Sequence, residues 1–411
     1  MNAATAAEEP FLRGYQPTAG IYDEAVGADG QLRPHWAAFI AHLEQMGRPE
    51  FERRWGRAER QIAIDDLTFS PHDSGETARP WILDAIPLLM EEVEWRTISA
   101  GLEQRARLFE MILSDLFGPQ TLLKERLLPP DVLYGHPGYH PTYLGLPPAG
   151  GRYLQFYAAD IVRAPDGRWW ATGDRTRAPF GLGYVLENRI VASRTLPVAF
   201  RQCRVQRLAP FYVQLRETLR ELAPRYKDNP RIVLLTKGPT SQSYPEDAYL
   251  ARYLGYTLAE GGDLAVRENR VMLKTLSGLF PVEVLMRRLD DDDCDPVELV
   301  SSSAVGISGL CEVLRSGNVA LANSLGARLV ESPIFRPFLP GVCRHLLGED
   351  LQTRSIATWW AGQKEALDYV LKRFDELLIL PAYRMSNDMP TDPSLLTSKE
   401  RDALIAQIRS Q

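Results

Sequence analysis

Between Pro34 and Gly47 the apolar side chains Trp36, Phe39, Ile40 and Leu43 recur at three- and four-residue steps, which predicts an amphipathic helix closed by the glycine. A helix-rich stretch follows from about Ile86 to Leu128. Its apolar face is Leu102, Leu108, Phe109, Ile112, Leu113 and Leu116, and Gly118-Pro119-Gln120 is its stop. Between the two, residues 70–80 read as a polar loop. The stretch 134–151, dense in Pro, Gly and Tyr, is a connection or the rim of a site and marks a boundary. The pattern then changes period. Arg152–Arg163 and Arg168–Asp174 are β-prone aromatic runs on either side of Asp166-Gly167, which predicts a hairpin.

After an amphipathic helix near 208–223, the run RIVLLTKGP at 231–239 reads as a buried parallel strand opening into a ligand loop at its carboxyl end. Further units alternate: a helix at 246–255, the strand YTLAE, a hairpin turning near Glu268-Asn269, the strand VEVLMRR, a helix at 309–315 and the strand VALAN. That alternation predicts a Rossmann-like α/β unit over about 230–345. The last region, 346–411, holds a helix at 364–373, the apolar run LLIL and a final helix at 398–409. The expected division is therefore 1–133, a helical N-terminal region; 134–229, the hairpin and a linking helix; 230–345; and 346–411.

A chain of 411 residues is long enough for two or three cores, which favours a site between them. A net charge of −6 gives no overall basic field for phosphate backbones, so nucleic acid is not an expected partner. Cys203, Cys294, Cys311 and Cys343 form no CxxC pair, which fits a reducing compartment. No basic and apolar leader and no run of about 18 apolar residues is present, so a cytoplasmic protein with no membrane span is expected.

The hairpin carries the most informative acids. Asp160 and Asp174, on adjacent strands, could share a divalent cation of magnesium type; alternatively Asp160 caps its strand and Asp174 begins a turn. The following run DRTRAPFGLGYVLENR combines three arginines and two glycines in a loop able to bind an anion. In the α/β unit, Glu246 and Arg252 lie on a helix after a strand end. Glu260 and Asp263, the pair Arg287 and Arg288, and Asn323 fall at similar places, where open α/β sheets bind ligands. For the arginine pair, substrate contact and structural ion pairing are equally open. Asp290–Asp293 read as a solvated loop. His136 and His140 flank the Gly-Tyr loop, and neither a Walker loop nor a G-x-S-x-G elbow occurs.

Taken in order, YDEAVGADGQLRPHW, ADIVRAPDGRWWATGDRTRAPFGLGYVLENR, SYPEDAYLARYLGYTLAEGGDL, VMLKTLSGLFPVEVLMRRLDDDDCDPVEL, FLPGVCRHLLGEDL and TWWAGQ resemble the bacterial circularly permuted type-two ATP-grasp proteins, relatives of glutathionylspermidine-synthase-like ligases. The resemblance implies an α/β (α+β) fold: a circularly permuted ATP-grasp whose closing strands come first, a Rossmann-like pre-ATP-grasp substrate domain and a helical N-terminal region. It implies Asp160 and Asp174 as magnesium carboxylates, with Thr176 where an asparagine ligand is usual. Arg163, Arg175, Thr176, Asn188 and Arg189 become the nucleotide candidates. Arg252, Asp263 and Asn323 become the candidates for a small peptide or amino-acid-like substrate. Arg287, Arg288 and Glu246 become the catalytic candidates.

The implied chemistry is amide formation through an acyl phosphate, with ATP and Mg²⁺ as cofactors. The resemblance also implies alpha-E or transglutaminase-like partner proteins. Three departures point to a degenerate version, and a non-catalytic protein that binds a peptide or partner is the alternative. Leu380 stands where the family's IKPAF motif has its lysine, Asp247 replaces a histidine beside Pro245, and the adenine hinge is expected beyond Gln411.

Overall fold

The computed structural model describes residues 11–64, 68–69, 79–224, 228–383 and 390–410. Most of the expected polar loop at 70–80, and residues 384–389 after the LLIL run, lie outside the described residues.

Helix α1 (Pro34–Met46) starts with proline in its first turn and ends where Gly47 takes φ 78°; Trp36, Phe39, Ile40 and Leu43 are buried as their spacing implies. Helix α2 (Arg48–Ile64) follows. It buries only Phe51, Ala58 and Ile62, an apolar stripe too sparse to stand out among its charges. Helix α3 (Glu92–Leu116) is the longest, and Leu108, Phe109, Ile112, Leu113 and Leu116 are buried along it.

Strands β1 (Ala158–Arg163) and β2 (Trp169–Arg175) form the expected antiparallel hairpin, with Gly167 at φ 83° in its turn. In the run read as an anion-binding loop, residues 176–181 remain a loop and the rest enters helix α4 (Leu182–Thr195) after Gly181. Helix α5 (Ala209–Glu221) links the hairpin to the α/β unit.

That unit contains β3 (Ile232–Leu235), α6 (Tyr244–Leu254) and β4 (Thr257–Ala259). An antiparallel meander of β5 (Leu264–Arg267), β6 (Arg270–Thr275) and β7 (Gly278–Pro281) follows. Glu268 and Asn269 both adopt positive φ, as a two-residue type I′ turn requires. Then come β8 (Val284–Arg287), α7 (Leu310–Arg315) and β9 (Ala320–Ala322). Helices α8 (Leu339–Leu347), α9 (Lys364–Lys372) and α10 (Ser398–Ser410) complete the described elements used below.

The four parallel strands run β9-β8-β3-β4 across one sheet. Alternate residues divide between its two faces. Ile232, Leu234, Val284, Met286 and Ala320 meet Leu186 of α4, Tyr212 and Leu219 of α5, and Leu250 and Leu254 of α6. Val233, Leu235, Leu285 and Leu321 face the other way, into a larger core with α3, α7, α8 and the connection around Leu122–Tyr153. Both faces are covered, which is why these strands read as continuous apolar runs and not as alternating ones. Among the described residues no helix is long and apolar enough to cross a membrane.

His136 lies inside this second layer, only 3% exposed. Its Nδ1 accepts the Gly138 N–H at 2.9 Å, which leaves Nε2 to donate to the Ser332 hydroxyl at 2.8 Å. Burial, helped by the Arg328 guanidinium, pushes its pKa down to about 4. The unfolded chain would protonate it near 6.5, so the neutral ring contributes fully above that value and its contribution is lost as pH falls toward 4. Between pH 7 and pH 5 urea unfolding is expected to lose about 2 kcal/mol from this group. His136→Gln should flatten that part of the pH dependence.

Candidate functional site

The carboxyl ends of β3 and β8 open into a cleft of about 610 Å³. Its walls are Arg177, Phe180, Lys237, Arg288, Asp290 and Asp293, with hydroxyls from Thr240, Ser241, Ser243, Ser302 and Ser303. Each side chain is delivered by a local device. Beyond β8 the Arg288 N–H donates to the Leu235 carbonyl at 2.8 Å, extending the ladder by one step. Successive residues on a strand point to opposite sides, so Arg287 and Arg288 diverge.

Arg287 is fully buried and donates to the carbonyls of Asn323, Leu289 and Ser324 at 2.8, 3.0 and 2.9 Å, with Asp291 as its ion-pair partner at 2.5 Å. It takes no part in the cleft. Arg288 forms the cleft's inner wall. Its Nε donates to Asp247 at 2.7 Å, Nη2 to Glu246 at 2.8 Å and Nη1 to the Pro179 carbonyl at 2.5 Å. Burial works against its charge, but Glu246 and Asp247 more than offset that and raise its pKa. Burial pushes the Glu246 carboxyl up, against the pull of Arg288 and two backbone amides.

Those amides belong to Gly181 and Gly183, both 2.8 Å from Glu246 Oε1. A Cβ on Gly183 would lie 2.7 Å from the Glu246 side chain, so only glycine permits this approach. At the other end of the same loop, Glu331 accepts the N–H groups of Thr176 and Arg177 at 2.6 and 2.7 Å. The loop was expected to bind an anion through its arginines and its backbone N–H groups, but four of those N–H groups, of Thr176, Arg177, Gly181 and Gly183, are taken by two of the protein's own carboxylates. What it presents to the cleft is side chains, Arg177 and Phe180.

Arg177 and Lys237 are the cations a ligand can reach, with side chains 32% and 31% exposed. Lys237 Nζ sits 2.7 Å from Asp290 and 3.1 Å from Asp293, and Arg177 also pairs with Asp290. The acidic run is thus no solvated loop. Asp290 and Asp293 line the cleft, Asp291 is buried against Arg287, and Asp292 meets His140 at 3.2 Å and Arg328 at 3.2 Å.

Of the site residues nominated singly from sequence, Arg288 lines this cleft, and Arg177 joins it from the run read as an anion-binding loop. Glu246 acts behind it as a clamp. Arg252 is exposed with its guanidinium over the Tyr249 ring, and Asp263 closes a capping box with Glu260. Asn323 is buried; it accepts the N–H groups of Gln155 and Phe156 and donates to the carbonyls of Phe156 and Thr176, sewing the hairpin to β9. The five nucleotide candidates are not brought together. Arg163 pairs with Glu24 and Glu94 near the hairpin turn, whereas Arg175 meets Asp160 at the hairpin's open end. Thr176 is buried with its hydroxyl on the Ala327 carbonyl; Asn188 accepts from Trp81; Arg189 donates to the Gln206 carbonyl.

The magnesium pair also fails on geometry. Asp160 lies opposite Gly173 in the ladder, so Asp174, one residue on, points to the other face. Asp160 is half-exposed against Arg175. Asp174 is buried beneath the hairpin, where Arg105 grips it through two N–H groups at 3.0 and 2.6 Å and the Tyr157 hydroxyl donates to it at 2.5 Å. Burial and this carboxylate hold the Tyr157 hydroxyl well above its ordinary pKa. No group of three or more His, Cys, Asp or Glu able to hold a metal occurs among the described residues.

The model of the family described as circularly permuted ATP-grasp type 2 matches residues 87–411. The chain belongs to this family. Uncharacterized proteins of Mycobacterium tuberculosis and Synechocystis are 33% and 34% identical to it over 398 and 374 residues. These alignments cover 95% and 90% of this chain but 45% and 77% of the relatives, so the chain spans less than half the length of the mycobacterial protein. A solved glutathione synthetase-like effector from Globodera pallida aligns with 13% identity and a TM-score of 0.48, over 79% of this chain and 77% of that one. In this member of the circularly permuted ATP-grasp family, the candidate site is the cleft at the carboxyl ends of the central strands β3 and β8.

The two hairpin aspartates should respond differently to substitution. Asp174→Ala strands Arg105 in the interior and is expected to cost about 3–5 kcal/mol in urea unfolding, while Asp160→Ala should stay within about 0.5 kcal/mol. Both should behave alike with and without added Mg²⁺, since they hold no common ion.

Proposed function

We propose that this chain supplies the substrate-holding part of an ATP-dependent carboxylate–amine ligase, and that the cleft between β3 and β8 takes an amino-acid-like or short peptide substrate. Family membership supports the ligase class. The observation that carries the substrate class is the charge arrangement at the strand ends, where Arg177 and Lys237 stand beside Asp290 and Asp293 with a fringe of serine hydroxyls. A guanidinium and an ammonium suit a substrate carboxylate, the two aspartates suit its amine, and hydroxyls suit the peptide groups between. Phe180 adds an apolar wall.

Amide formation in ATP-grasp enzymes proceeds through a carboxylate activated by ATP. Leu380 offers a phosphate no charge, and Asp160 and Asp174 offer no common metal seat. This chain's own contribution is therefore to hold and orient the substrate with Arg177 and Lys237 against the rigid wall formed by Arg288. A non-catalytic relative that binds a peptide through the same cleft is the second reading, and Leu380 and the splayed aspartates favour it. Alpha-E or transglutaminase-like proteins remain proposed partners on family grounds alone.

Titration calorimetry with alanine-containing dipeptides, followed by an ADP-release assay with Mg-ATP and a free amine, separates these readings. Peptide binding with ADP release supports the ligase; peptide binding without it supports the second reading; absence of peptide binding sinks both. Lys237→Ala is expected to weaken peptide binding about 10- to 100-fold, because a hydrogen bond to a charged group contributes about 1.5–3 kcal/mol.

A further inference from the structure

We propose that Asp290 is the selectivity residue of the cleft: it neutralises Arg177 and Lys237 when the cleft is empty and yields them only to a ligand that brings its own cation. The inference rests on the reading of the cleft as a substrate site.

Two kinds of ion pair meet at this strand end. Arg287 with Asp291, and Arg288 with Glu246 and Asp247, have side chains no more than 2% exposed and cannot exchange partners with a solute. The Asp290 pairs differ, since Asp290, Lys237 and Arg177 each keep about a third of their side-chain surface, 30%, 31% and 32%. Asp290 is fixed at its backbone: its carbonyl accepts from the Asp293 N–H at 3.2 Å and from the Cys294 thiol at 3.2 Å. Its neighbour Asp291 is locked to Arg287. The Asp290 carboxylate itself is held by the two part-exposed cations, Arg177 and Lys237.

A ligand carboxylate entering the cleft competes with that carboxylate for both cations. If the ligand is a simple anion, Asp290 is left without a partner and faces Asp293, a like charge that already shares Lys237. If the ligand also carries an ammonium, the displaced Asp290 and Asp293 receive it and no charge is stranded. The arrangement thus rejects anions that lack an amine, by leaving a protein charge unsatisfied, and admits zwitterions. Asp290 is a positioning and selectivity group and takes no part in bond making.

The test compares alanylalanine with its N-acetyl derivative, which keeps the carboxylate and loses the ammonium, by calorimetry on the full chain. The unmodified protein should prefer the zwitterion by about tenfold or more, the effect of a single unpaired charge at a partly exposed site. In Asp290→Asn the two cations lose their internal partner. Binding of the acetylated peptide should rise and the preference should fall to within about threefold. The Asp290 side chain is part-exposed although its backbone borders the larger core, so a retained cooperative melting transition will confirm that the variant folds. If the unmodified protein binds alanylalanine but the ratio is the same in Asp290→Asn, the selectivity role is overturned while the cleft reading stands. If the unmodified protein binds neither peptide, the cleft reading itself falls and this inference with it.

Discussion

The guanidinium of Arg288 is the point on which the site's architecture depends. It is buried at the end of β8 and bonded to two carboxylates on the first turn of α6, and it also donates to the Pro179 carbonyl in the loop that enters α4. One side chain therefore ties a strand, a helix and a loop together. The alternative to its being fully bonded is an uncompensated charge in the interior, which costs about 3–5 kcal/mol when one partner of such a pair is removed. Glu246 extends the clamp by holding the amides of Gly181 and Gly183, so the approach of α4 to α6 is set by the same cluster. Rigidity at this corner lets the outer side chains of the cleft remain adjustable without loss of register.

The contrast between rigid and adjustable charges follows from burial alone. At Arg288 the low local dielectric strengthens each bond and forbids exchange, because a solute would have to replace every partner at once. A few residues further on, Lys237 and Asp290 are open to water, their interaction is screened and either partner can be traded singly, while burial of Arg177 beside them lowers its pKa. A strand end that steps from buried to exposed thus generates a fixed wall and an exchangeable lining from one acidic and basic sequence, RRLDDDD.

Much of the scaffold was legible because it rests on periodicity. The spacing of Trp36, Phe39, Ile40 and Leu43, the Asp166-Gly167 turn and the Glu268-Asn269 turn each have a local cause, and each formed where it was expected. Helix α2 was not legible because its burial is limited to three residues among many charges, and α4 was hidden by the glycines and arginines at its start. The strand-end rule located the cleft's neighbourhood correctly, yet it could not rank the charges there. Arg287 and Arg288 are adjacent in sequence and opposite in fate, and only the pleat separates a carbonyl-bound core residue from a cleft wall. Lys237 was visible in the quoted strand RIVLLTKGP, and its position just past the strand end is the signal that could have singled it out. The magnesium expectation failed for the same reason of register: proximity along neighbouring strands says nothing about the face until the ladder is known, and Asp160 pairs with Gly173.

The loop over the cleft shows how the protein constrains what any ligand can do. A segment such as RTRAPFGLG, entering a helix, offers backbone N–H groups to an anion by default. Here Glu331 and Glu246 take those groups from the inside, one at each end. An incoming phosphate or carboxylate finds the Gly181 and Gly183 amides engaged by Glu246, which is buried and bonded to Arg288, and the Thr176 and Arg177 amides engaged by Glu331. Recognition is thereby shifted from the backbone, which binds any anion, to Arg177, Lys237 and the aspartates around them, whose geometry discriminates. On the proposed reading, a site built in this way would favour a doubly charged substrate over phosphate in general, which is what the substrate side of a ligase would need.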